Sequence, residues 1–85
     1  MTVINRESEI FEFLRTRLAE VTQQDASTIT ETSVLIDLGL QSIDAVLLCG
    51  EVEDRFDIEL DPAIIFEHDT LGGFAGEINR LLVAK

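Results

Sequence analysis

Apolar residues recur at spacings of three and four between Asn5 and Thr22, at Ile10, Phe13, Leu14, Leu18 and Val21. Glu7, Glu9, Glu12, Arg15, Arg17 and Glu20 fill the other faces, so the pattern predicts an amphipathic helix with one buried stripe. Asn5 is the expected N-cap, and the early glutamates suit the positive end of the helix dipole. From Gln23 to about Gln41 the period is lost. Ser, Thr, Asp and Gly are dense there, yet Ile29, Leu35, Leu38 and Leu40 interrupt them. A loop this long is uncommon in a small domain unless it is functional or packed down by its own side chains. The apolar insertions predict that it is packed down.

Helical spacing resumes at Ser42 and runs to about Phe56, with Ala45, Leu48, Cys49, Val52 and Phe56 on one stripe. Ile43, Val46 and Leu47 fall partly off that stripe, toward the exposed side. Asp57 to Asp61 breaks the helix, and Asp61-Pro62 restarts one, with Asp as cap and Pro at the first helical position. This third helix is short, about Pro62 to Phe66. Thr70 is expected to cap the last helix, in which Leu71, Phe74, Ile78 and Leu81 or Leu82 face inward. Gly72, Gly73 and Gly76 each weaken it by about 1 kcal/mol relative to Ala, tolerable where a neighbouring backbone packs close. The predicted class is all-α. We expect a four-helix bundle, three longer helices plus one short third helix, with a long loop between helices 1 and 2.

The chain has 85 residues and no internal repeat, so a single domain over residues 1–85 is expected. Acidic residues outnumber basic ones by 17 to 6, a formal charge of −11. That balance argues against nucleic acid, which clustered Lys and Arg bind, and against anionic membrane surfaces. It points instead to partners with basic docking faces. A single Cys excludes an internal disulfide framework and a multi-cysteine zinc site. No apolar run approaches the roughly 20 residues needed to cross a bilayer. Met1 to Arg6 lacks an apolar stretch after a basic start, so no signal peptide and a cytoplasmic location are expected. With no Trp or Tyr the core must be aliphatic, each buried Leu, Ile or Val contributing only about 1.5–3 kcal/mol.

Three constellations could carry chemistry. Asp57, Glu59 and Asp61 alternate like the start of a calcium loop, but Pro62 stands where the turn wants Gly and His68 where a bidentate Glu is needed. No metal site is expected. Cys49 sits on an apolar stripe, which suits a buried inert thiol better than a nucleophile paired with His68. Gly72-Gly73 lies inside a helix and not after a strand, so it does not resemble a phosphate cradle. No catalytic residue is expected, and the chain is not expected to be an enzyme. The informative stretch is Asp37-Leu38-Gly39-Leu40-Gln41-Ser42-Ile43. Gly39 permits a tight turn, Leu38 and Leu40 can anchor the loop end, and Ser42 lands at the helix start. On physics alone Ser42 reads either as a simple cap through its Oγ or as a reachable hydroxyl.

Leu38 to Ile43, followed by Glu53-Asp54-Arg55-Phe56-Asp57-Ile58-Glu59-Leu60, resembles the acyl and peptidyl carrier protein family. Its members read Leu-Gly-x-Asp-Ser-Leu at this junction, with a Glu-rich stretch ending in Phe near the end of helix 2. Phe66-Glu67-His68-Asp69-Thr70-Leu71 is similar to the Phe-x-His-Pro-Thr segment of carriers from polyketide and peptide synthases. The resemblance implies that Ser42 is the attachment site for 4′-phosphopantetheine. A phosphopantetheinyl transferase with Mg²⁺ would deliver it from coenzyme A, and its terminal thiol would hold acyl groups as thioesters. Acyl-loading, condensing and acyl-transferring enzymes are the further partners implied, and a monomer is expected.

The sequence departs from the family pattern in three places. Gln41 stands where the family usually has Asp, removing a charge that transferases read. Asp69 replaces the usual Pro before Thr70. Leu47 occupies a position more often acidic in fatty-acid-type carriers, and reads either as part of an apolar docking ridge or as buried against the long loop. The expected docking surface comprises Gln41, Ile43, Asp44, Val46, Leu47, Glu51, Glu53 and Asp54. An acyl carrier of a polyketide, mixed polyketide–peptide or related fatty-acyl pathway is the first reading. A peptidyl carrier and an unmodified helical interaction module are the alternatives. Met1 and the short tail fit a free-standing chain.

Overall fold

The computed structural model describes residues 6–61 and 63–84, without the side chains of Ser42 and Phe66. Helix α1 spans Glu7–Thr22 and buries Ile10, Leu14 and Leu18 completely, each one turn beyond the last. Phe13 and Val21, expected on the same stripe, are half-buried at its edges. The expected cap Asn5 lies outside the described residues. A side chain from the other end of the chain holds this helix start: Arg6 N–H donates to Asn79 Oδ1 at 3.0 Å. At the far end Gln23 takes a left-handed conformation (φ 57°) and its N–H returns to Ala19 O, closing the helix without a glycine.

The long connection is packed down, as its apolar insertions predict. Two 3₁₀ turns organise it, Ala26–Thr28 and Leu35–Leu38. Asp25 Oδ1 accepts the Ser27 N–H at 2.9 Å and starts the first. Ile29, Leu35 and Leu38 are buried, while Leu40 is half-buried against the core. The loop is also stapled by its backbone. Leu35 N–H donates to Asp69 O, Leu71 N–H to Ser33 O and Gly72 N–H to Glu31 O, at 2.8–3.0 Å. Val34 and Thr70 form an isolated antiparallel bridge, and no strand occurs among the described residues.

Helix α2 spans Ser42–Phe56, and all five residues of its predicted stripe are buried. It ends at Asp57, whose left-handed backbone (φ 55°) returns an N–H to Glu53 O. The third element, α3, is a single turn over Ile64–Glu67. It starts later than the expected Pro62, a residue outside the described set. Asp61 does act at its start, Oδ1 accepting the Ala63 N–H at 2.9 Å. Helix α4 spans Leu71–Ala84 and buries Leu71, Phe74, Ala75 and Ile78, whereas Leu81 and Leu82 are both half-buried. Thr70 Oγ1 accepts the Gly73 N–H at 3.2 Å, which is the predicted cap.

The architecture is all-helical. Helices α1, α2 and α4, of 14 to 16 residues, enclose one aliphatic core completed by Phe56 and Phe74. A full fourth helix is not present among the described residues. Between α2 and α4 the only helical element among the described residues is the single turn of α3. No polar or charged side chain among the described residues is fully buried.

Candidate functional site

The junction before α2 is built by a tight turn. Gly39 closes the second 3₁₀ turn with φ 85°, a conformation that strains any side-chain-bearing residue. Its N–H donates to Ile36 O, and Gln24 Nε2 donates to Leu38 O at 3.0 Å, tying the turn to the end of α1. Leu38 beneath and half-buried Leu40 beside it fix where the chain leaves the core.

Gln41, with extended backbone, is the N-cap of α2, and Ser42 is the first helical residue. Gln41 N–H donates to Asp44 Oδ2 at 3.1 Å, the half of a capping box in which a carboxylate reaches back over the first turn. Position 42 is therefore not the cap. The purely structural role open to Ser42 in the sequence is taken by Gln41, and the Gln41–Asp44 spacing of three was its signal. Gln41 and Ile43 on either side are exposed among the described residues. The free N–H groups of the first turn give that spot a partial positive charge that suits a phosphodiester. By these observations the junction fits a covalently attached phosphate ester.

The expected docking residues separate into two sets. Ile43, Val46 and Leu47 are exposed, at 59%, 49% and 58%, and line the outer face of α2. Leu47 is thus not core. Of the acids only Asp54 is exposed without an ion pair or hydrogen bond among the described residues. Asp44 is half-buried in the capping interaction. Glu53 Oε2 accepts the Leu60 N–H at 3.0 Å and steadies the turn after α2. Glu51 is held by Arg17 of α1, a pairing that no local pattern announces.

Every described arginine is matched to a glutamate, Arg6 and Arg55 to Glu9, Arg15 to Glu12, Arg17 to Glu20 and Glu51, Arg80 to Glu77. No Lys or Arg lies between residues 18 and 54. Apart from Arg17 on Glu51 and Arg55 near the end of α2, no basic residue offsets the acids of the long loop and that helix.

Cys49 faces the core, and desolvation, reinforced by Glu53 and Asp61, pushes its thiol up to about 11. At neutral pH it is protonated and unreactive. Among the described residues no three His, Cys, Asp or Glu side chains gather as metal ligands, and no helix is long and apolar enough to cross a membrane.

The chain is thus a helical bundle with a serine opening its second helix behind a glycine turn. Residues 12–78 match the family model described as "Phosphopantetheine attachment site", and the chain belongs to that family, as a carrier of the acyl carrier protein type. Its cofactor is covalently attached 4′-phosphopantetheine. The acyl carrier protein of Onion yellows phytoplasma is 40% identical over 63 residues, covering 73% of this chain and 83% of that protein. That of Thermotoga maritima is 33% identical over 75 residues, covering 87% and 93%. The non-reducing polyketide synthase SAT8 of Stachybotrys chartarum is 30% identical over 66 residues, 76% of this chain, which spans only 2% of that synthase. Among solved structures, the HMG-ACPI domain from the CurA module of Lyngbya majuscula superposes with a TM-score of 0.80 at 29% identity. That match covers 92% of this chain and 79% of the other.

Proposed function

We propose that Ser42 bears the phosphopantetheine arm and that the chain shuttles acyl thioesters between the enzymes of a polyketide or related fatty-acyl pathway. The observation that carries this is the place of Ser42, first residue of α2 and flanked by exposed neighbours, with capping delegated to Gln41. A phosphopantetheinyl transferase delivers the group from coenzyme A. The Ser42 oxygen forms a phosphodiester, the bond to adenosine 3′,5′-bisphosphate breaks, and the transferase accepts the hydroxyl proton. When attached, the group supplies a thiol that holds acyl chains as thioesters. The protein contributes the exposed junction, the helix field and the surface its partners read, and it performs no catalysis itself.

Residues 1–85 act as one carrier domain, with the α3 turn serving as the fourth element of the bundle, in a cytoplasmic monomer. Resemblance to polyketide synthase segments and to a synthase-derived carrier domain supports the polyketide branch, and the two acyl carrier proteins favour acyl over aminoacyl cargo. The acidic outer face supports partners with basic docking surfaces, to which Gln41, Ile43, Val46, Leu47 and Asp54 contribute directly. Asp44, Glu51 and Glu53 contribute field while serving internal contacts. Intact-mass measurement after incubation with coenzyme A, Mg²⁺ and a broad-specificity transferase tests the reading. The wild type gains one phosphopantetheine and Ser42→Ala gains none. Modification persisting in the variant moves the site to Ser8, Ser27 or Ser33, and an unmodified wild type leaves the interaction-module alternative.

A further inference from the structure

The junction before α2 is anchored in two unlike ways. Leu38 is buried and Leu40 half-buried, and apolar contact of this kind holds the chain down without fixing its direction. Direction comes from hydrogen bonds. Gly39 N–H donates to Ile36 O, Gln41 N–H to Asp44 Oδ2 and Ala45 N–H to Gln41 O, all within the turn and α2. Among the described residues, the one that reaches residues 38–41 from another element comes from Gln24. Its Nε2 donates to Leu38 O at 3.0 Å, across 14 positions of sequence.

Gln24 holds that place because of how α1 ends. Gln23 takes a left-handed backbone, φ 57°, where glycine is the usual residue. The reversal brings the Gln24 N–H back onto Ala19 O at 3.1 Å, so the root of the side chain is fixed to the last turn of α1. A side-chain-bearing residue at positive φ is strained, and such strain gathers where a particular pose is needed. Gln24 itself is exposed, so water can satisfy its amide nearly as well as Leu38 does, and the bond adds little to global stability. What it adds is the direction of one carbonyl, beside the Gly39 turn and just before Ser42.

We propose that Gln24 is a positioning residue for the reaction at Ser42. It acts through the Leu38 carbonyl, latching the Gly39 turn to the end of α1 and so setting the angle at which Gln41 and Ser42 leave the turn. This rests on the Ser42 reading above. With the latch open, the junction samples poses that a transferase does not accept. The carrier's apparent affinity then falls with the fraction of molecules still latched.

The test compares wild type with Gln24→Met, which keeps length and loses the donor, and Gln24→Asn, which keeps the amide and loses reach. A control, Asn79→Ala, removes the acceptor of the Arg6 N–H, a hydrogen bond at the other end of α1. Each is measured for amide exchange at Gly39 and Gln41 in the unmodified protein. Each is also measured for steady-state modification by a broad-specificity phosphopantetheinyl transferase with coenzyme A and Mg²⁺. In both Gln24 variants those amides are expected to exchange about two- to tenfold faster, the range one neutral hydrogen bond sets. KM for the carrier is expected to rise about two- to fivefold, with kcat and the KM for coenzyme A unchanged, because a latched molecule reacts normally. Asn79→Ala keeps wild-type exchange at Gly39 and Gln41 and a wild-type KM. Faster exchange with a wild-type KM makes the contact a structural tie alone and overturns the proposal. So does wild-type exchange in both Gln24 variants, or a KM raised equally in Asn79→Ala, which would trace the effect to lost stability. Each of these leaves Ser42 modified and the carrier reading standing, whereas a wild type that gains no mass overturns both.

Discussion

Arg17 grips both carboxylate oxygens of Glu51, Nε to Oε2 at 2.7 Å and Nη2 to Oε1 at 2.5 Å, and so ties the middle of α1 to the middle of α2. The same guanidinium reaches Glu20 through Nη1 at 2.9 Å. Farther along the seam Phe13 meets Phe56 edge-on at 5.7 Å, and Arg6 lies over the Phe56 ring at 5.1 Å. The ion pair is bidentate, but its side chains are 31% and 39% exposed, so water screens it. A double-mutant cycle with Arg17→Met and Glu51→Gln should give a coupling of about 0.5–1 kcal/mol that shrinks in concentrated salt. Glu51→Gln should lower the melting midpoint slightly and leave Ser42 modification at the wild-type rate in high salt, where its share of the field is screened. A variant with an unchanged midpoint and slowed modification would make Glu51 a partner contact after all.

The buried thiol sets an alkaline limit. The Cys49 pKa in the folded protein is about 11, above the ordinary value of 9.0, because burial disfavours the thiolate and Glu53 and Asp61 repel it. Below pH 9 the thiol is protonated in both states and stability is fully present. Between pH 9 and 11 the unfolded chain ionises first, so stability falls with rising pH. The loss amounts to about 2 kcal/mol by the upper end, and Cys49→Ala should remove that slope, whatever it costs at pH 7. Urea titrations at pH 7, 9, 10 and 11 read it directly. A thiol reagent at pH 8 should react with the native protein only as fast as it opens.

Much of the fold was legible because the chain is periodic where it is regular. The α2 stripe of Ala45, Leu48, Cys49, Val52 and Phe56 was readable residue by residue, and so was the Thr70 cap. The loop was readable in outcome but not in form. Ile29, Leu35 and Leu38 announced burial, whereas the 3₁₀ turns depend on local hydrogen bonds that have no hydrophobic period. At the site, the position of Ser42 was legible from its neighbours and the role of Gln41 was not, since glutamine is a weak capping residue and gains the place through Asp44. Long-range pairings left no trace in sequence. Arg17 with Glu51 and Arg6 with Asn79 join residues 34 and 73 positions apart.

Gly72 sits where the fold leaves no room for a side chain. Its N–H donates to Glu31 O at 2.8 Å, and an added Cβ would lie 3.0 Å from that oxygen and 3.2 Å from Glu31 Cβ. Alanine would favour the helix by about 1 kcal/mol, but crowding a packed contact costs about 1–3 kcal/mol. Gly72→Ala should therefore lower stability in urea, and the amide of Gly72 should exchange faster as the loop lifts from α4. A stabilised variant with unchanged exchange would show that the loop yields without cost.

Leu47 decides between surface and core. At 58% exposure a carboxylate placed there stays in water, so Leu47→Glu should leave stability within about 0.5 kcal/mol. The same change interrupts the apolar ridge of Ile43, Val46 and Leu47 while making an acidic face more acidic. Charge mainly governs encounter and orientation, whereas residence depends on desolvated apolar contact. Transfer onto Ser42 should then slow through a raised KM for the carrier, even though attraction to a basic partner is increased. Melting midpoint and modification kinetics are measured on the same preparation. An intact midpoint with impaired transfer supports a docking ridge. An intact midpoint with unimpaired transfer removes Leu47 from it, and a collapsed midpoint would place the residue in the core despite its exposure.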